Sequence, residues 1–178
     1  RSVLHTDLKT FDKKFDDYVK TRFASAIASV PAEPPELDRR MPADELLRRA
    51  AASPNDFGVQ LMVGAALVAQ NNLDAAIAPL EKARTLFPEY GGDNSSYALL
   101  AEIYLKKGDD RKAADALTEG VTLTETNYKG LLQLATVLEK LSDLKGAADA
   151  LERAMYINPF DAGVHERGHV RHRPHEAG

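Results

Sequence analysis

Three stretches of this chain carry one arrangement of small and large apolar residues at identical offsets. Gly64 is followed by Ala76, Leu80, Ala83 and Pro88; Ala101 by Ala113, Leu117, Gly120 and Glu125; Ala135 by Ala147, Leu151, Ala154 and Pro159. Each set falls 12, 16, 19 and 24 residues after its leader. A fixed period near 34 residues predicts stacked units rather than one ordinary globular core, because such a unit buries its apolar stripe only against its neighbours. Function is then expected on a surface built by repetition.

The spacing predicts helix pairs over 55–70 with 73–87, 94–107 with 110–123, and 127–141 with 144–157. The turns inside the pairs, Asn71-Asn72, Lys107-Gly108-Asp109 and Ser142-Asp143, all lie about seven residues after the leader. The first two leaders are 37 residues apart and the next two 34, so Gly91, Gly92 and Asp93 read as a three-residue insertion in a loop, where length is tolerated. Small residues at Gly64, Ala76 and Ala83 let two helices approach, while Val63, Leu67 and Leu80 fill the space beside them. The later copies place Leu100, Tyr104 and Leu117, then Leu134, Leu138 and Leu151, in those roles.

Ahead of the repeats, Thr6 is expected to cap a helix running to about Ser29, with Leu8, Phe11, Phe15, Tyr18, Val19, Phe23 and Ile27 on one face. Its other face carries Lys9, Asp12, Lys13, Asp16, Asp17 and Lys20 and reads as a water-facing surface of mixed sign. Pro31, Pro34 and Pro35 end the helix and enforce an extended connector. A shorter helix starts at Pro42, runs through Leu46, Leu47 and Ala50, and stops at Ser53-Pro54, like the second half of a repeat without its first. The expected organisation is an amphipathic helix over 1–30, a proline-rich linker over 31–41, a half-repeat helix over 42–54, three repeats at about 55–90, 94–127 and 128–161, and a truncated or frayed histidine-rich tail over 162–178.

Composition narrows the function classes. A net charge of −4 offers no basic excess to draw the chain onto nucleic acid. There is no cysteine, hence no disulfide or thiol chemistry, and this fits several compartments equally. The longest apolar stretch, Leu61 to Ala69, is far short of the roughly 20 residues that cross a membrane, and no membrane partner is expected. The start at Arg1, without an initiator methionine, leads us to expect a piece excised from a longer polypeptide.

The repeated residues resemble the tetratricopeptide repeat family. Val63, Gly64, Leu67, Ala76, Leu80, Ala83 and Pro88 meet its pattern, as do Tyr97, Leu100, Ala101, Tyr104, Ala113 and Leu117. The third copy, Leu131, Leu134, Ala135, Leu138, Ala147, Leu151, Ala154 and Pro159, does so too, whereas Gly120 and Glu125 depart from the usual alanine and proline. The resemblance implies an all-α, right-handed α-solenoid of three helix pairs, preceded by the half-repeat helix and the N-terminal amphipathic helix. It also implies a non-enzymatic module, without cofactor, that binds a peptide or partner domain in a concave groove lined by the first helices.

Family positions map the groove to Leu61, Ala65, Val68 and Ala69 of the first pair, Ala98, Glu102, Leu105 and Lys106 of the second, and Lys129, Leu132, Thr136, Glu139 and Lys140 of the third. The alternative is that these residues finish helix surfaces, with Leu61 and Val68 covered by the half-repeat and Lys106, Glu139 and Lys140 as solvated charges. Relatives that clamp a carboxylate tail use lysine, asparagine and arginine where this chain has Leu61, Ala65, Leu99, Lys129 and Gln133; only Lys129 suits that task.

His165-Glu166-Arg167-Gly168-His169 spells the H-E-x-x-H string that places two imidazoles on one helix face of zinc proteases, and His172 continues it. Gly163 and Gly168 weaken that helix and Pro174 stops it. No catalytic site is therefore expected; His165, His169 and His172 remain as an incidental metal-binding tail or as a frayed repeat end. His5 reads as a surface residue, and Tyr97, Tyr104, Tyr128 and Tyr156 as packing residues.

A second functional reading comes from the segment Phe11 to Tyr18 with Arg22-Phe23, which resembles the closing helix of peptidase-like domains that precede such repeats in some bacterial proteins. It implies an accessory region that positions substrates or assembles a larger enzyme. The aromatic face itself calls for a cover: the solenoid, a further domain, or a second copy in a homo-oligomer.

Overall fold

The computed structural model of the chain describes residues 7–29, 38 and 40–169. Among them are ten helices and no strand: α1 (Leu8–Arg22), α2 (Ala24–Ser29), α3 (Ala43–Ala52), α4 (Phe57–Ala69), α5 (Leu73–Leu86), α6 (Ser96–Lys106), α7 (Asp110–Leu123), α8 (Tyr128–Lys140), α9 (Leu144–Ile157) and α10 (Ala162–His169). The six repeat helices lie within two residues of the bounds the spacing predicts.

Sequence-local chemistry sets each unit. Asp56, Ser95 and Asn127 cap α4, α6 and α8 by accepting from the amides of Val59, Ala98 and Gly130. Each first helix then ends on a left-handed residue, Asn71 at φ 60°, Gly108 at 74° and Ser142 at 62°. The amide after it reaches back to the same point in every copy: Asn72 N to Leu67 O at 2.8 Å, Asp109 N to Tyr104 O at 2.9 Å, and Asp143 N to Leu138 O at 2.9 Å. One αL residue thus reverses the chain and satisfies carbonyls that a helix end leaves open.

Within the pairs α4/α5, α6/α7 and α8/α9, the predicted small residues are buried: Ala76, Ala83, Ala113, Ala135, Ala147 and Ala154 are sealed from water, with Leu67, Leu80, Leu100 and Leu151 between them. A Cβ on Gly64 would collide with the Leu80 side chain, so glycine sets the approach of α4 to α5. Consecutive pairs are joined by the same core, since α5 packs on α6 and α7 on α8. Ion pairs bridge them along one edge: Lys107 with Asp74, and Lys140 with Asp110 at 3.5 Å.

The half-repeat α3 packs on α4 through Leu46 and Ala50. Two glutamines of α4 and its C-cap hold its ends: Gln60 Nε2 donates to Ala50 O at 2.7 Å and Ser53 O at 3.0 Å, and Gln70 Nε2 to Met41 O at 2.8 Å.

Two expectations of the first helix need correction. The first helix is not continuous to Ser29: it breaks at Phe23, whose amide closes α1 on Val19 O, and α2 follows. Its cap is Asp7, which accepts from Thr10 N at 3.0 Å; Thr6 lies outside the described residues. Of the three covers open to the aromatic face, the described solenoid does not supply one. No residue of α1 is buried, and Leu8, Phe11, Phe15 and Tyr18 stand exposed, with Phe11 and Phe15 stacked on each other. Contact with the body comes from α2, which touches α4 and α5, and from Arg22, which pairs with Glu89 at 2.7 Å. The connector prolines Pro31, Pro34 and Pro35, like His5, also lie outside the described residues.

Residues 162–169 form α10, in the place of a fourth repeat's first helix, with Val164 buried beside α9. Asp161 overrides the two glycines: its Oδ1 accepts from Gly163 N and Val164 N, and its Oδ2 from the Tyr128 hydroxyl at 2.5 Å. Tyr97 is buried and Tyr104 and Tyr128 are half-buried, but Tyr156 is 81% exposed and is no packing residue.

Candidate partner-binding groove

The first helices do not treat all neighbours alike. α4 packs directly on α6, whereas a recess of about 250 Å³ opens between α6 and α8, floored by α7. Small side chains make it: Ala98 on α6, Gly130 on α8, and Ala116 and Gly120 on α7 line it. Gly120, which departs from the repeated alanine, already has Tyr97 Cβ 3.2 Å from where its own Cβ would stand. The inserted Gly92 and Asp93 border the same recess, Gly92 at φ 103°.

Its polar rim is Glu102, Lys129 and Gln133. Glu102 is held by Lys106 at 2.8 Å. One turn further, Leu105, Leu132 and Val137 form an apolar patch edged by Gln133, Thr136 and Lys140. Recess and patch share Gln133, so they form one strip along α8.

The sequence-mapped positions divide on this geometry. Ala98, Glu102 and Lys129 border the recess, and Leu105, Leu132, Thr136 and Lys140 the patch. Lys106 lies beside them through its pair with Glu102. Glu139 instead receives Arg167 of α10 at 3.1 Å, and the same guanidinium donates to Thr136 Oγ1 at 3.1 Å. In the first pair Val68 is buried, Leu61 and Ala65 are half-buried, and only Ala69 is exposed. Leu61 packs against the core that α3 shares, which takes that end out of the strip. Arg167 and Asp93 were not singled out for the groove, and Gln133 entered only as a position unsuited to clamping a carboxylate. The fourth half-repeat would have placed Arg167, but its glycines hid the helix.

Charge at the strip is mixed rather than single-signed. Fixed contacts elsewhere perturb ionisation. The Tyr128 hydroxyl holds the Asp161 carboxyl below its ordinary value, and Arg22 does the same to Glu89. His165 Nε2 lies 2.7 Å from Pro159 O; the His169 side chain and His172 lie outside the described residues. Among the described residues no three metal-ligating side chains gather, and no helix is long and apolar enough to cross a membrane.

A family model described as tetratricopeptide repeat matches residues 95–127, the second pair with its leading cap. The crystal structure of MamA is similar over 72% of this chain and 73% of that one, at 19% identity and a TM-score of 0.61. YrrB, a tetratricopeptide-repeat protein with an unusual peptide-binding site, aligns over 71% and 64% at 23% identity and 0.57. The tetratricopeptide-repeat domain of Arabidopsis OM64 aligns over 64% and 92% at 19% and 0.52. A search of curated proteins gave no match. At these identities the likeness is one of fold.

Proposed function

We propose that this stack of tetratricopeptide repeats is a non-enzymatic interaction module that takes an extended segment of a partner protein along the α6/α8 strip. The observation that supports it most is the recess between α6 and α8, continuous with the patch at Leu105, Leu132 and Val137. A recess of about 250 Å³ accepts one side chain, the patch accepts a second, apolar one, and Glu102, Lys129 and Gln133 can bond the segment between them. The peptide-binding site of YrrB, a protein of this fold, is consistent with that use. In this reading the first pair contributes support rather than contacts.

The test fills the recess. Peptides selected from a displayed random library on the intact chain should lose affinity at least tenfold, about 1.4 kcal/mol, against Ala98→Phe combined with Lys129→Glu, with the helix content of the variant unchanged. Affinity retained by the double variant would move binding off this strip. The bare face of α1 is a second docking surface and supports self-association.

A further inference from the structure

The exposed residues of α1 follow a spacing of their own. Leu8, Phe11, Phe15 and Tyr18 are separated by 3, 4 and 3 residues, the alternation that keeps a seam facing a second helix laid alongside. Their exposures of 73, 40, 55 and 59% leave roughly 450 Å² of apolar side-chain surface bare on each copy, taking about 200 Å² per side chain. That exceeds what scattered surface residues produce. The described contacts that hold α1 to the body run through α2 and, at the C-terminal end of the seam, through the Arg22–Glu89 pair, and they leave these four side chains exposed.

We infer that this face pairs with the same face of a second copy, the two α1 helices running antiparallel about an axis near Lys13. In that register Leu8 meets Tyr18 of the second copy and Phe11 meets Phe15 of the second copy. Symmetry repeats both contacts, so all four seam residues of each copy are covered. A parallel pair would set Arg22 against Arg22 where the seam continues, and is the poorer solution. Roughly 900 Å² of seam, with the stems of Asp12 and Lys14 beside it, lies below the roughly 1,200 Å² at which stable interfaces begin and corresponds to a weak, reversible dimer.

Charge opposes this pairing and gives it a signature. Asp12 flanks the seam on one side and Lys14 on the other, and in the antiparallel register each faces its own counterpart. Like charges in water repel weakly and are screened by salt, whereas apolar burial is not. The seam therefore decides, and the dimer tightens as salt rises.

Sedimentation equilibrium of the 178-residue chain tests this. Over roughly 1 to 200 µM the mass should climb from 19.5 kDa toward twice that value. Association should strengthen about two- to fivefold between low salt and roughly 0.5 M salt. Phe11→Ser with Phe15→Ser should remain monomeric with the solenoid's helix signal intact, since both rings stand in solvent. Wild type mixed with Asp12→Lys should form the mixed dimer in preference to either parent, because Asp12 then faces a lysine. A chain monomeric throughout, a double variant that still dimerises, or mixed dimers no commoner than chance would each overturn the inference.

Discussion

Ser142 occupies a backbone region that suits glycine. At φ 62° it pays the Cβ penalty that Gly108 avoids at the equivalent turn and that Asn71 lessens. Ser142→Gly should therefore raise stability by about 0.5–1 kcal/mol, seen as a higher urea midpoint at unchanged slope. Gly64 gives the opposite sign. Alanine there gains about 1 kcal/mol of helix propensity, but its methyl collides with a Leu80 side chain that has no exposed surface to retreat into. Overpacking of this kind costs roughly 1–3 kcal/mol, so Gly64→Ala should be neutral at best and Gly64→Val clearly destabilising in the same measurement. Asp161 and Tyr128 set a pH window for α10. The carboxyl is lowered and the hydroxyl raised, chiefly by the bond between them. The aspartate's support is complete above about pH 4 and is lost as pH falls through the lowered value; the tyrosine's holds below about pH 10 and is lost as pH rises through the raised one. Protection of the Val164 and His165 amides, taken relative to the intrinsic exchange rate at each pH, should be highest between those limits and fall outside them, and Tyr128→Phe should narrow the window on its acid side.

Elements differ in how plainly the sequence announces them. The three pairs were legible because small residues recur where helices must approach, and Ala76, Ala113 and Ala147 are indeed sealed. The hold on α3 was not, because Gln60 is a polar residue at a buried position and periodicity assigns such positions only to apolar ones. Gln60→Ala leaves the last carbonyls of α3 without their donor and should cost about 1–3 kcal/mol, with early exchange at α3 while α6 to α9 stay protected. α1 failed in a different way. Its apolar spacing predicted a face correctly, but a pattern says which side is greasy and not what lies against it, and the break at Phe23 carries no glycine or proline to mark it. At the groove, family position placed Val68 and Leu61, and the alternative reading, that the half-repeat helps to cover them, agrees with Val68 being buried and Leu61 half-buried against the core to which α3 contributes.

At the scale of the whole molecule, stability is shared between adjacent units rather than drawn from one centre, since α5 meets α6 and α7 meets α8 in a continuous core. Damage at one end should accordingly be felt most by the nearest pair. Arg153 and Arg167 add cross-pair bonds, to Val121 O at 2.8 Å and to Glu139 at 3.1 Å, that stiffen the half bearing the strip. The reversals at Gly108 and Ser142 stand 34 positions apart and present the same backbone hand-over to the helix that follows. Excising 109–142 would join Gly108 straight to Asp143, and the splice would meet a geometry it already knows. The stack can thus be shortened or lengthened in whole notches, as a ratchet is, and each added notch would extend its reach along a partner by one tooth.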